Sequence, residues 1–168
     1  MKNDHRDLEF LANKSNELLD RQVTSYRQKH SNSATIITVL ALFIPFFLNG
    51  LENSYLFIKL LAIFPIALLV LSIILLIGVL RSKPLDQGFN VEKLPELVKQ
   101  DYESILLYEI GANRCSFIDN IEISNNSNNK YNLAIKLTVI AIIISTTLLL
   151  TNEFFSPKEN PKEVIITN

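Results

Sequence analysis

Residues 55–80 read YLFIKLLAIFPIALLVLSIILLIGVL, and Lys59, close to one end, is the only charged residue among them. A helix needs roughly 20 apolar residues to cross the hydrocarbon core of a bilayer, which is about 30 Å thick. A helix that is apolar on every side has no polar face to turn toward water. The stretch therefore predicts a transmembrane helix.

Two further stretches have the same character. Residues 33–49, SATIITVLALFIPFFLN, carry no charge, and residues 131–151, YNLAIKLTVIAIIISTTLLLT, carry only Lys136 near their start. In water, a chain of 168 residues holds too little other material to cover three such helices. We therefore expect an all-α integral membrane protein with three transmembrane helices, and not a soluble protein with buried core helices.

The first two spans are joined by residues 50–54, GLENS, a short turn in which Gly50 is a natural helix stop. The sequence thus predicts a tight transmembrane hairpin over residues 33–80, with residues 131–151 as a separate third span. Each hairpin helix contains a proline, Pro45 or Pro65, which removes a backbone donor and favours a bend. Each bend is either a packing kink or a hinge, so both prolines are hinge candidates.

The basic residues are distributed unevenly between the connecting segments. Six lie in residues 1–32, none in the turn at 50–54, six in residues 81–130 and two in residues 152–168. Cytoplasmic segments carry the excess of Lys and Arg, so residues 1–32 and 81–130 are predicted to be cytoplasmic and the tail 152–168 external. Lys59 and Lys136 then lie near opposite membrane surfaces, where each is expected to act as an interface anchor.

Both predicted cytoplasmic segments contain amphipathic patterns. In residues 1–32, Leu8, Leu19 and Tyr26 belong to an apolar stripe with helical spacing. In residues 81–130, a linker leads to Leu94-Pro95-Glu96, a helix-start pattern, and then to a second amphipathic helix. The asparagine-rich residues 122–132, EISNNSNNKYN, are either a solvated loop or part of one continuous helix over residues 95–151.

The sequence contains no pattern typical of catalysis, cofactor binding or metal binding. His5 and His30 have no cluster of other ligands around them, Cys115 is the only cysteine, and the four glycines are scattered. The net charge of −1 gives no indication of direct nucleic-acid binding. We therefore expect a protein that is not an enzyme, with no catalytic, cofactor-binding or metal-binding residues.

Polar side chains in and beside the third span are candidates for a pore lining or for contacts between helices. The three apolar stretches contain no Asp, Glu or His, which disfavours an ion-coupled transporter, because such transporters usually keep an ionisable side chain in the membrane. Hydroxyl groups can line a passive pore, or each can bond the backbone of its own helix. The candidates are Thr138, Ser145, Thr147, Thr151 and Asn129.

The order of elements resembles that of SLATT-type predicted membrane effectors, which accompany bacterial antiphage systems. The shared pattern is a short N-terminal helix, a tight two-span hairpin and a cytoplasmic amphipathic helix. Residues 102–130, which include Tyr108, Asn113, Asn120 and Lys130, are similar to a segment of related three-span proteins. The resemblance implies an oligomeric inner-membrane protein, and it supplies no catalytic residues. The third span and the tail depart from the family's core pattern, and no nucleotide-sensing domain is present.

The predicted function is therefore a membrane-perturbing or pore-forming effector of bacterial antiphage defence in the inner (plasma) membrane. Three helices cannot enclose a channel alone, so this function requires a homo-oligomer. One alternative is a non-catalytic membrane sensor or scaffold that recruits a cytoplasmic protein partner through residues 1–30 and 81–130. Another is a small transporter subunit. The expected partners are the lipid bilayer, further copies of the chain and a cytoplasmic protein.

Overall fold

A computed structural model describes residues 4–155, and every regular element in that range is helical. Helix α1 covers Asp4–Gly50 and helix α2 covers Leu56–Leu80. A single 3-10 turn, Val91–Lys93, precedes the short helix α3, Leu94–Leu97, and helix α4 covers Tyr102–Phe155. Helices α1, α2 and α4 are each long and apolar enough to cross a membrane, which confirms the predicted helical class.

Helices α1 and α4 lie side by side and run in the same direction. Near their starts, the Tyr102 hydroxyl donates a hydrogen bond to Glu9 Oε1 at 2.8 Å. Near their ends, the Asn152 amide donates to the Gly50 carbonyl oxygen at 3.2 Å. With 47 residues in α1 and 54 in α4, the two helices measure about 70 Å and about 80 Å. Helix α2 returns antiparallel to both, because a short turn joins it to the end of α1.

The molecule has two halves along this axis. The apolar bundle comprises residues 33–50, 56–80 and 131–155, where α1, α2 and α4 pack together around Leu40, Leu69 and Ala134. The stem comprises residues 4–32 and 81–130. There a connector, residues 81–101, follows α2, contains the 3-10 turn and α3, and packs Leu85 against α1. No loop separates the stem from the apolar bundle in either α1 or α4.

On each long helix, a set of buried residues recurs every seven positions. In α1 they are Ala12, Leu19, Tyr26, Ser33, Leu40 and Phe47. In α2 they are Ile58, Pro65, Ser72 and Val79, interleaved with Ala62, Leu69 and Leu76. In α4 they are Asn113, Asn120, Ser127, Ala134 and Ala141. A seven-residue repeat keeps one helix face toward its partners along the whole bundle, as in a left-handed coiled coil.

The asparagine-rich residues 122–132 are helical throughout, so the loop interpretation is wrong. Asn125, Asn126 and Asn129 are exposed, and Ser127 fills the buried position of the repeat. Asparagine disfavours helix by less than about 1 kcal/mol per residue. Packing of the seven-residue face along α4 outweighs that cost.

The long helix starts later than the sequence predicts. The pattern at Leu94-Pro95-Glu96 opens α3, but this helix ends at Leu97, whose side chain is buried. The chain then turns through backbone bonds from Lys99 to Glu96 and from Gln100 to Leu97. Helix α4 covers residues 102–155, whereas the sequence offers one continuous helix over residues 95–151.

The predicted span boundaries fall inside longer helices. Residues 33–49 are the second part of α1, and residues 131–151 are an internal part of α4. Of the predicted external tail, residues 152–155 continue α4, and residues 156–168 lie outside the described residues.

Candidate functional site

The most distinctive chemical feature of the bundle is a line of buried polar side chains along the inward face of α4, here called the polar seam. Its members are Asn113, Ser116, Asn120, Ser127, Thr138 and Ser145, and none is more than 8% exposed. The seam runs from the stem into the apolar bundle without leaving the face that packs on the other elements. Polar groups in such surroundings are costly unless they find hydrogen-bond partners.

Within the apolar bundle, the seam is tied to α2 through Ser72. The Ser72 hydroxyl donates to the Ala134 carbonyl oxygen at 2.9 Å and lies 2.6 Å from the Thr138 hydroxyl. All three residues are buried. Hydrogen bonds between helices in such apolar surroundings contribute about 0.6–2 kcal/mol each. This pair therefore fixes the register between α2 and α4.

Two other seam hydroxyls have no hydrogen-bond partner within residues 4–155. They belong to Ser127, in the part of the stem next to the apolar bundle, and to Ser145 in the apolar bundle. Both side chains are fully buried. Small residues at these positions let neighbouring helices approach closely. Both hydroxyls are therefore buried polar groups whose hydrogen-bonding capacity is unused within residues 4–155.

The structure divides the predicted pore candidates into two groups. Thr138 and Ser145, seven residues apart, share the inward face of α4. Thr147 is exposed and donates to the Ile143 carbonyl oxygen at 2.9 Å, and Thr151 donates to the Thr147 carbonyl oxygen at 2.8 Å. Asn129 is exposed at the top of the stem. A single protomer therefore brings only Thr138 and Ser145 together, and a pore role for any of the five stays a prediction.

The two candidate hinges lie within unbroken helices. Pro45 is exposed in α1, whereas Pro65 is buried at a seven-residue contact position of α2. The buried ring of Pro65 fills space in the bundle as the other members of its repeat do. The hinge function of both residues stays a prediction.

The two predicted anchors differ in their contacts. Lys59 Nζ donates to the Glu52 carbonyl oxygen at 2.7 Å, so its side chain extends toward the turn between α1 and α2. Lys136 is exposed on α4, close to the stem. Each lysine lies near one end of the apolar bundle, and the anchor role stays a prediction.

In the stem, Asn120 binds the connector through both ends of its side-chain amide. Its Oδ1 accepts from the Asp86 backbone N–H at 2.8 Å, and its Nδ2 donates to the Asp86 carbonyl oxygen at 2.7 Å. Asparagine can satisfy a peptide unit in this way because it offers one acceptor and two donors. The Tyr26 hydroxyl donates to the Lys83 carbonyl oxygen at 2.7 Å, so α1 and α4 both hold the connector.

Gly88 allows the connector to lie close to both long helices. Its φ is +89°, a conformation that residues with a Cβ rarely adopt. A Cβ at this position would overlap the Asn113 amide oxygen and lie 2.7 Å from Leu19 Cδ2. The Asn113 amide in turn donates to Ser15 Oγ at 3.2 Å, which links α4 to α1 beside the glycine.

Two further hydrogen bonds join α1 and α4 in the part of the stem nearer the apolar bundle. The Gln22 amide donates to the Phe117 carbonyl oxygen at 3.2 Å, and Lys29 Nζ donates to Asn128 Oδ1.

Burial lowers the pKa of Lys29 and of His30 below their usual values, because desolvation disfavours the charged form. His30 packs its ring against Tyr26, with 4.4 Å between the ring centres.

Within residues 4–155, no group of three or more His, Cys, Asp or Glu side chains is placed to hold a metal ion. Cys115 is an exposed free thiol on α4.

The seven-residue repeat is a signal in the sequence that locates three members of the polar seam, Asn113, Asn120 and Ser127. Counting in sevens from Asn113 gives Asn120, Ser127, Ala134 and Ala141, and all five side chains are buried. A search for large apolar residues at helical spacing passes over these positions because they are small or polar. The contact between Asn120 and Asp86 has no comparable signal, since it depends on where the irregular part of the connector lies.

No protein-family model, no curated protein and no solved structure matches the chain. The resemblance to SLATT-type effectors therefore rests on the order of elements in the sequence and stays a prediction.

Proposed function

We propose that the chain is a non-catalytic protein of the bacterial inner membrane that couples a cytoplasmic stem to a membrane-embedded three-helix bundle. The observation that carries this proposal is the continuity of α1 and α4, which pass from the stem into the apolar bundle without a break. A cytoplasmic protein partner binds the stem, and the two helices transmit the resulting change.

The membrane location is supported by the outer surface of the apolar bundle. Leu42, Leu56 and Ile143 are 72%, 79% and 60% exposed, and they belong to a much larger set of exposed apolar side chains. Soluble monomers rarely expose apolar patches larger than a few hundred Å². The excess of Lys and Arg in residues 1–32 and 81–130 supports a cytoplasmic stem and an external turn at residues 51–55.

Coupling is supported by the way in which the stem is cross-linked. Asn120 and Tyr26 hold the connector, and Gln22 and Lys29 join α1 to α4 close to the apolar bundle. Packed helices change between discrete arrangements because their interfaces do not deform continuously. A partner that separates or rotates the helices of the stem therefore shifts the same helices inside the membrane.

The second candidate is the membrane-perturbing effector of antiphage defence, acting as a homo-oligomer. The polar seam is the observation that favours it, because Thr138 and Ser145 place hydroxyls inside an otherwise apolar bundle. In one protomer α1 and α2 cover the seam. In an oligomer, the α4 helices of several copies could pack on one another in place of α1 and α2. The polar seam of each copy then faces a shared lumen, where hydroxyls suit a passive pore.

The coupling proposal is tested with a nanobody selected against the stem of the full chain in nanodiscs. The reporter is an environment-sensitive fluorophore at Thr147→Cys, with Cys115 replaced by Ser. We expect nanobody binding to change the fluorescence. Short glycine insertions after Ser31 and after Asn129 interrupt both long helices, and they abolish the change. The same insertion after Gln100, which interrupts neither helix, is the control.

A fluorescence response that survives both helix insertions contradicts coupling through α1 and α4. Dye release from vesicles distinguishes the second candidate. Release that depends on a high protein-to-lipid ratio supports an oligomeric pore. Vesicles that stay intact with and without the nanobody contradict the pore and leave the coupling proposal in place.

A further inference from the structure

A cavity of about 520 Å³ lies between the end of α2 and the face of α4, where the stem meets the apolar bundle. We call it the basic cavity. Its polar and charged lining residues are Arg81, Ser82, Lys83, Glu122, Asn126 and Lys130. They come from α4 and from the first residues of the connector, which meet here because α2 ends at Leu80.

The cavity carries unneutralised positive charge. Within residues 4–155 the ion pairs involve Lys14, Arg21 and Lys93, and none involves Arg81, Lys83 or Lys130. These three cations face one carboxylate, that of Glu122. Glu122 lies about 12 Å farther along α4 from the apolar bundle than Lys130 does. The end of the cavity nearest the apolar bundle is therefore its most positive part.

The cations stand at the edge of the apolar surface. Arg81 directly follows α2, and Lys130 directly precedes the apolar residues 131–151. The exposed side chains of Ile77, Leu80 and Leu133 continue from this edge along the bundle. In a bilayer, such an edge lies at the depth of the lipid phosphates, with acyl chains against the apolar side chains.

Gly78 of α2 and Lys130 of α4 pack against each other in the wall of the cavity. A Cβ at this position would lie 3.6 Å from Lys130 Cδ, so the aliphatic part of the lysine passes over the glycine. This packing brings the α4 lysine beside the end of α2, where Arg81 follows. Because Gly78 belongs to α2, the cavity reaches the edge of the apolar bundle.

We infer that the basic cavity binds the phosphate of an anionic lipid headgroup, of the phosphatidylglycerol class. Arg81 matches phosphate with a planar pair of donors, and Lys83 and Lys130 act as point charges. The Asn126 amide supplies a neutral donor. The inference rests on the proposed membrane location but is independent of the coupling function. Lipid bound here bridges α2 to α4 where the bundle meets the stem.

The test uses the purified full chain and native mass spectrometry of lipids retained after mild detergent exchange. The triple variant Arg81→Gln, Lys83→Gln and Lys130→Gln is compared with the wild-type chain. The matched control is Arg6→Gln, Lys93→Gln and Lys99→Gln, which removes the same types of charge from the stem. We expect the triple variant to retain phosphatidylglycerol at least about tenfold more weakly, because each cation near the surface adds to binding. The control retains it as the wild type does.

Equal retention by the triple variant and the wild type overturns the inference. Retention of phosphatidylcholine as strong as that of phosphatidylglycerol also overturns it, because the cavity would then recognise no negative charge. In a separate arm, inorganic phosphate is added in detergent to wild-type protein that retains phosphatidylglycerol. Displacement of phosphatidylglycerol by equimolar phosphate would assign the cavity to free phosphate instead.

Folding and membrane location are controlled separately. The single variant Lys130→Gln, checked by its helical circular dichroism, takes the place of the triple variant if the latter is not recovered folded. It is expected to weaken phosphatidylglycerol retention by about fivefold. Recovery of the wild-type chain from the soluble fraction of cells would contradict the proposed membrane location itself, which distinguishes that failure from loss of the lipid site.

Discussion

Ser72 of α2 and Thr138 of α4 place their hydroxyl oxygens 2.6 Å apart inside the apolar bundle, and Ser72 also donates to the Ala134 carbonyl oxygen. Replacing Ser72 with Ala removes both bonds and leaves the Thr138 hydroxyl without this partner. We expect the free energy of unfolding in detergent to fall by about 1 kcal/mol. The control is Thr146→Ala, because Thr146 is exposed and bonds its own helix. Equal effects of the two substitutions would contradict the interhelical role of Ser72.

Gly88 and Gly111 form a matched pair of glycine substitutions. Gly88→Ala forces a Cβ onto a φ of +89° and against Asn113, so we expect a loss of about 1–3 kcal/mol in stability. Gly111→Ala lies in α4 with nothing within 4 Å of the added Cβ, and it should stabilise the helix by about 1 kcal/mol. Thermal unfolding followed by circular dichroism measures both. Substitutions that shift the midpoint in the same direction would contradict this account of the connector.

Asn120→Leu tests whether the connector is held to α4. The substitution leaves both backbone groups of Asp86 without their side-chain partner, so the connector should open more often. Hydrogen exchange at the Asp86 amide should speed up by about tenfold or more, corresponding to about 1.4 kcal/mol. Asn129→Leu, at an exposed position of the same helix, should leave that exchange rate unchanged. An unchanged exchange rate of the Asp86 amide in Asn120→Leu would contradict the proposal that Asn120 holds the connector to α4.

The proposed orientation predicts which thiols are accessible from each side of the membrane. A membrane-impermeant maleimide added outside intact cells should label Cys at position 53 in an Asn53→Cys, Cys115→Ser chain. It should label Cys115 of the wild-type chain only after the cells are opened, because Cys115 is exposed on the stem. Labelling of Cys115 in intact cells would contradict the proposed orientation, because it would place the stem outside the membrane.

The helical fold class could be predicted from sequence because it depends on three long apolar stretches. Stretches of this length without polar faces are typical of membrane-spanning helices. The junctions between elements could not, because packing decides them. Asn125 and Asn129 disfavour helix locally, but Ser127 between them occupies a buried position of the repeat. Pro95 starts a helix as predicted, but buried Leu97 and the turn after it end that helix within four residues.

The candidate site was only partly accessible from sequence. Thr138 and Ser145 stand out in the sequence as polar residues in an apolar span. Asn113 and Asn120 stand out only through their seven-residue spacing, and their partners depend on the packing of the connector. The basic cavity depends on residues that are distant in sequence, Arg81 and Lys130. Only the antiparallel packing of α2 on α4 brings them together.

The continuity of α4 from the stem into the apolar bundle is tested most directly by a distance between spin labels at Cys115 and at Thr147→Cys, both on α4 and both exposed. An unbroken helix predicts a single narrow distribution centred at about 48 Å, from a rise of about 1.5 Å per residue. A broad distribution with a markedly shorter mean would place a flexible break in residues 122–132. That result would contradict the central claim that the stem and the bundle are joined by continuous helices.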